Sequence, residues 1–283
     1  MTVSAAYLVG AREAGLLARY DELPFVAGEY EEPVRKEPQW LVTYCDPALT
    51  RLPSWWSALP GLARAAVPRA RSVVLRAPAD AVPPAPWRRL VTYLRYDGVP
   101  ASAGSGDGDC EVLPAVPAHD GPIRRWLTMA LSAAAVSHGA PAGHTADPSF
   151  ADTLLNSPGR LSFVAAQGGE AIGHATLLCD AEDEVTGRAH VELFDILVEA
   201  GDADRRNATG VLVAAAARHA AGLGLPLFGN VVHTPAAEAD PGEAVVTVLG
   251  GQGWRVDHVL WERPLFAPDS GGGVPSPGGE AAR

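Results

Sequence analysis

The sequence predicts an α/β protein (α+β in the grouping of its elements) built on a mixed sheet flanked by helices. Three observations point there. After residue 110 the apolar pattern alternates between strand and helix periods in the order β-α-α-β-β-β-α-β-α-β. The first hundred residues hold strand-like runs and a helix but no catalytic motif. Between them the stretch GVPASAGSGDGD, Gly98 to Asp109, is rich in Gly, Ser and Asp and has no apolar period, so it reads as a linker or a long exposed loop.

In the N-terminal region, residues 1–100, SAAYLVGAREAGLLARY reads as a helix. PQWLVTYCD, RSVVLRAP and RRLVTYLRYDG read as strands. Trp55 and Trp56, in LPSWWSALP, read either as pocket lining or as core. The region itself has two open readings: a degenerate second copy of the fold that follows it, or a substrate-recognition domain.

The second region, residues 110–266, opens with CEVLPAV as a short strand. PIRRWLTMALSAAAVSH is a helix, with a smaller one near DPSFADTLLN. RLSFVAAQGGEAIGHATLLCD reads as two strands joined by Gly-Gly, a pair that supplies the positive φ a hairpin needs. RAHVELFDILVEA is a strand, and DRRNATGVLVAAAARHA a helix whose alanines have high helix propensity. LPLFGNVVH is a strand, GEAVVTVLGGQ a short helix ended by glycines, and WRVDHVLWERPLF a last strand or strand pair. Residues 267–283, APDSGGGVPSPGGEAAR, form a low-complexity tail expected to be disordered.

Composition narrows the function classes. At 47% hydrophobic and 19% charged residues the chain can bury a core. No apolar run is long enough to span a bilayer, and the start lacks a basic segment before an apolar one, which predicts a cytoplasmic protein with no membrane partner. Cys45, Cys110 and Cys179 are far apart and fit neither a zinc spacing nor a disulfide framework. The net charge is −11, and all of the imbalance follows Asp109. With no basic stripe to offset it, nucleic acid is not an expected partner.

The most informative stretch is the helix start at Asp204–Ala220, where Arg205 and Arg206 precede a small polar turn. A helix N-terminus offers unpaired N–H groups and a partial positive charge, which suit a phosphate. The competing reading is an ordinary helix start capped by Asn207 or Asp204. Together with the element order and the late GGQGW, the hexapeptide RRNATG resembles the acyl-CoA loop of the GNAT superfamily of N-acyltransferases. The resemblance covers roughly Cys110 to Phe266.

That resemblance implies a GNAT-like mixed sheet and acetyl-CoA or another acyl-CoA as cosubstrate, with no metal. The loop amides and helix start at Arg205, Arg206, Asn207, Ala208, Thr209, Gly210 and Val211 would hold the pyrophosphate. Main-chain groups at Ile196, Leu197 and Val198 would pair with the pantetheine arm where the sheet splays. Glu192, in VELFDILV, takes the place of the general base. Asp195, three residues on, points to the opposite face if the strand is regular. Two departures stand out. Ala208 sits where glycine is usual, and no tyrosine follows Tyr96, so the family's acid near Leu249 is missing. His233 and His258 are the substitutes in the same region, and His174 has no assigned role. A phenol would have to come from the N-terminal region.

The expected activity is therefore transfer of an acetyl or other acyl group to an amine of a small molecule or peptide. The alternatives are a non-catalytic protein that uses the fold to bind a ligand or partner, or an acyl-CoA enzyme of other chemistry, such as O-acyl transfer or decarboxylation.

Overall fold

The structure, a computed structural model, describes residues 2–32, 36–98, 110–137, 140–234 and 240–266. Nearly all of the linker expected at Gly98–Asp109 and the tail expected at 267–283 lie outside the described residues.

In chain order the elements are α1 (Ala5–Glu13), β1 (Leu17–Tyr20), β2 (Leu23–Glu31), β3 (Pro38–Cys45), α2 (Pro53–Ala66), β4 (Ser72–Pro78) and β5 (Arg88–Tyr96). There follow β6 (Cys110–Pro114), α3 (Asp120–Ser137), α4 (Pro148–Leu155), β7 (Arg160–Gln167), β8 (Glu170–Asp183) and β9 (Arg188–Val198). The chain closes with α5 (Asp202–Gly222), β10 (Leu227–Val232), α6 (Pro241–Gly251) and β11 (Trp254–Pro264). From β6 onward this is the order that the sequence pattern predicts. The Gly168-Gly169 turn between β7 and β8 does use positive φ at both residues.

Three elements of the N-terminal region were not legible. The helix expected over Ser4–Tyr20 stops at Glu13, because Gly15 adopts φ +71° and β1 begins two residues later. Strand β2 carries Pro24 and Gly28, which weaken its strand pattern. Helix α2 starts with Pro53 at its first position and contains Pro60, yet it forms because Trp55, Trp56, Leu59 and Ala63 bury one face.

All eleven strands form one sheet, in the order β1-β2-β3-β4-β11-β5-β10-β9-β8-β7-β6. Its middle is an exchange. In the first half β1, β2 and β3 run antiparallel in turn, α2 crosses over, and β4 returns parallel to β3. In the second half β7, β8 and β9 do the same, α5 crosses over, and β10 returns parallel to β9. Each half then receives the other's last strand: β11 pairs antiparallel with β4, and β5 pairs antiparallel with β10. The exchanged strands pair with each other at the centre. One topology therefore occurs twice.

The core follows the sheet's two faces. Trp40, Val42, Val73 and Leu75 pack under α2, and Val191, Leu193 and Leu227 pack under α5. On the reverse face α3 and α4 cover β7–β9 through Ile123, Trp126 and Phe194, while α1 covers Val26 and Tyr44. The centre of the reverse face, between α1 and α3, lies open. Among the described residues, no helix is long and apolar enough to cross a membrane.

Candidate active site

The parallel pair β9–β10 holds together over only three residues, Val191–Leu193 against Leu227–Gly229. Beyond Leu193 and Gly229 the strands part, although β9 runs on to Val198 and β10 to Val232. A groove of about 990 Å³ opens at that point. Its walls are the parted strands, the first turns of α5, the inner sides of α3 and α6, and Tyr96 and Leu94 of the exchanged strand β5.

The outer edge of β9 stays tied to β8, with Thr176, Ala175, His174 and Gly173 opposite Asp195, Ile196, Leu197 and Val198. Gly173 permits that approach, since a Cβ there would stand 2.6 Å from the Leu197 carbonyl oxygen. Among the described residues, the inner edge at Ile196–Val198 has no strand beside it. Of these three residues Ile196 lines the groove; Leu197 packs toward α3 and Val198 into the core under α5.

Helix α5 begins earlier than the sequence suggests, and this corrects the expected loop. Asp202 is the first helical residue, so Arg205–Val211 are helix from end to end. Helical periodicity sorts them. Arg205, Arg206, Thr209 and Gly210 face the groove, whereas Asn207 and Val211 are half-buried and not in its wall. Ala208 is fully buried against the core under α5. The worry that its methyl group obstructs a tight loop falls away, because the residue is helical and needs no positive φ. Neither Asn207 nor Asp204 caps the helix. The N-cap is Gly201 and makes no side-chain capping bond.

The first-turn amides of Asp202, Ala203 and Asp204 thus have no intrahelical acceptor, while the Arg205 N–H already donates to the Gly201 carbonyl (2.8 Å). Arg205 also donates from its guanidinium to the Ala200 carbonyl (2.9 Å) and lies 3.5 Å from Asp202. Arg206 lines the groove and has no ion pair among the described residues. The fit to an anionic ligand is therefore mixed: free amides and two arginines attract it, and the exposed Asp202 and Asp204 of the same turn oppose it.

Glu192 is not in the groove wall. A bulge in the β8–β9 pairing between Leu193 and Asp195 changes the side-chain alternation, so the carboxylate that lines the groove is Asp195. Asp195 Oδ2 lies 3.1 Å from Nε2 of the fully buried His174, at ion-pair distance without hydrogen-bond alignment. His174 stacks on Trp126 (5.4 Å between centroids, 6° between planes), and its Nδ1 contacts Thr176 Oγ1 at 3.0 Å.

Glu192 opens instead on a second recess, about 450 Å³, at the uncovered centre of the reverse face. His258 and Tyr93 join it there, stacked 4.4 Å apart at 11°. Gly229 belongs to both walls, so the recess and the groove meet where the strands part. Burial pushes the Glu192 carboxyl above its ordinary range, only partly countered by His190. Burial likewise lowers His258, although Asp257 accepts from its Nδ1 at 2.9 Å. Tyr93 is raised by burial and by the charge of Glu192.

His233 lines neither the groove nor the recess. It is 1% exposed, with Nδ1 bound to Asp240 and Nε2 2.8 Å from Thr92 Oγ1. The other Asp240 oxygen accepts from the Gly242 N–H and caps α6. The expectation that His233 protonates a leaving thiolate is thus not supported by its position: both nitrogens are committed to fastening β10 to β5 and α6. Asp195, expected on the opposite face, lines the groove, and of the N-terminal tyrosines that the sequence left open as a source of a phenol, Tyr93 reaches the recess and Tyr96 the groove. The tyrosines arrive through strand exchange, which leaves no local signature.

No family model matches the chain, and no curated protein matches it. Among solved structures it is similar to a functionally unknown conserved protein from Staphylococcus epidermidis (11% identity, 79% of this chain and 82% of that one, TM-score 0.46). It is also similar to a tandem GNAT protein from the clavulanic acid biosynthesis pathway (14% identity, 89% and 82% coverage, TM-score 0.42). A third is an aminoglycoside acetyltransferase from an uncultured soil metagenomic sample, in complex with sisomicin (15% identity, 52% and 88% coverage, TM-score 0.35).

Proposed function

We propose that this chain is a GNAT-type acyltransferase that moves an acyl group, most simply acetyl, from coenzyme A to an amine. The observation that carries the reading is the parting of β9 and β10 after Leu193 and Gly229, beside an uncapped helix start flanked by Arg205 and Arg206. A cosubstrate with a phosphate end and a narrow arm matches a groove of that form. The α5 amides and Arg206 would hold its phosphates, and the inner edge of β9 at Ile196–Val198 would pair with the arm. Backbone N–H groups on that edge would polarise the thioester carbonyl as an amine attacks it.

Glu192 would take the amine proton from the recess side. Its raised affinity for a proton suits it to that task. Tyr96, in the groove wall and packed edge-on against Trp254 (5.2 Å, 64°), would be the hydroxyl that protonates the departing thiolate. A second reading is ligand binding without catalysis, favoured by Asp202 and Asp204 at the phosphate end.

Thermal melting with acetyl-CoA tests the proposal. At a hundredfold excess over Kd the cosubstrate should add about 2.7 kcal/mol of stability. Gly210→Trp should abolish that shift without lowering the melting temperature of the free protein, since a Cβ at Gly210 meets nothing within 4 Å. No shift in the wild type overturns the proposal; an unchanged shift in the variant moves the site elsewhere.

A further inference from the structure

The recess on the reverse face has a composition the groove lacks. Its walls carry four rings: Tyr93 stacked on His258, and His190 packed at 4.9 Å from Phe228. Glu192 stands within it, with Glu182 and Glu184 exposed at the margin, and none of the three has an ion-pair partner among the described residues. Among the described residues Arg76 is the only guanidinium or ammonium group in the lining, and Arg188 lies outside it over the Phe228 ring at 5.8 Å. Arg76 is already neutralised by Asp183 in a two-pronged pair of 2.9 and 2.6 Å, with both side chains about nine-tenths buried. His258 is 8% exposed by side chain, and its Nε2 has no hydrogen-bond partner among the described residues, because Asp257 occupies only Nδ1.

Aromatic faces and unpaired carboxylates attract the same kind of ligand. A cation gains from the ring quadrupole and from the carboxylate charge, and an anion loses on both counts. The volume, about 450 Å³, falls within the range of small-molecule sites. We infer that this recess binds a small cationic amine, and that both halves of the chain build the site: Thr43, Arg76 and Tyr93 from the first, Glu192, Phe228 and His258 from the second. Calling this amine the acyl acceptor rests on the acyl-transfer reading; its binding does not. Seated there, the amine meets the groove at Gly229, the residue common to both walls.

Isothermal titration of the full chain tests the inference with two amines, 2-phenylethylamine and 1,4-diaminobutane, against the neutral 2-phenylethanol at neutral pH. At least one amine should bind about tenfold or more tightly than the alcohol. Glu192→Gln should weaken the amine about tenfold while leaving the alcohol unchanged. Glu184→Gln, at an exposed position, should weaken it by less and only at low salt. Gly210→Trp should leave amine binding intact. Equal binding of alcohol and amine, or amine binding indifferent to both glutamates, overturns the proposal. So does failure of both amines in a protein that acetyl-CoA still stabilises. Amine binding without an acetyl-CoA shift has the opposite meaning: the recess stands and acyl transfer falls.

Discussion

The two halves follow one topology, but one is filled and the other hollow. In the first, the crossover helix α2 drives Trp55 and Trp56 into the sheet at 0% and 3% exposure, where they meet Tyr20, Phe25 and Trp87 ring against ring. In the second, α5 lays Ala208, Ala216 and Ala217 on the sheet and turns Thr209 and Gly210 toward open space. Both parallel pairs are short, four residues for β3–β4 and three for β9–β10. Side-chain volume on the crossover helix therefore decides whether the gap beside such a pair becomes a core or a site. The first half lends its last strand to the second and so supplies Tyr93 to the recess and Tyr96 to the groove.

The most severe way to break this comparison is to separate the halves. A fragment from Cys110 onward keeps every residue of the GNAT resemblance but loses β5, which lies between β10 and β11. It also loses β4, so β11 would have no partner on either side and β10 would have one bare edge. The fragment alone should show no cooperative thermal transition by circular dichroism, and co-expression with residues 1–109 should restore one. A stable, acetyl-CoA-binding fragment would mean that the exchange is dispensable.

How much of this could be read beforehand depends on whether the cause was local. From β6 to β11 each element announces itself by apolar period, glycine turns and alanine content, and Arg205–Gly210 stood out as a candidate anion site, three residues inside the helix that begins at Asp202. The exchange was not, because pairing between β5 and β10 joins residues such as Tyr96 and Leu227 that no local pattern connects. Helix α2 was hidden by Pro53 and Pro60, whose local cost the buried tryptophans override. That Asp195 lines the groove and Glu192 the recess was hidden for a similar reason. The bulge between them is set by pairing with β8, and a strand taken as regular cannot reveal it.

A sharper and smaller test acts within the filled half. Trp55→Ala should cost about 3 kcal/mol, the low end for a buried tryptophan, because its indole N–H has no partner among the described residues and removing it relieves a desolvation penalty. Chemical denaturation measures it. The acetyl-CoA shift of the folded variant should survive, since the cavity opens in the half whose gap is closed. A lost shift would show that the filled half sets the groove's shape and does more than lend a strand.

The smallest effect on stability is expected at Glu192, and its sign separates a working carboxylate from a structural one. Burial raises its folded pKa above the unfolded value, so the folded state binds the proton more tightly. The ionised group therefore destabilises the fold fully at pH values above its folded pKa. The penalty fades as pH falls through that pKa toward the unfolded one. Glu192→Gln removes the charge, so it should melt slightly higher than the wild type near neutral pH, by less than Trp55→Ala lowers it. The gain should shrink as pH drops into the carboxylate range. If Glu192 is also the base, the same variant should turn over roughly 10²–10⁴-fold more slowly, with a smaller loss at high pH where the amine is already unprotonated. A variant that is both more stable and slower marks a charge kept buried for its chemistry. A melting gain that does not depend on pH, with a wild-type rate, would return Glu192 to the scaffold.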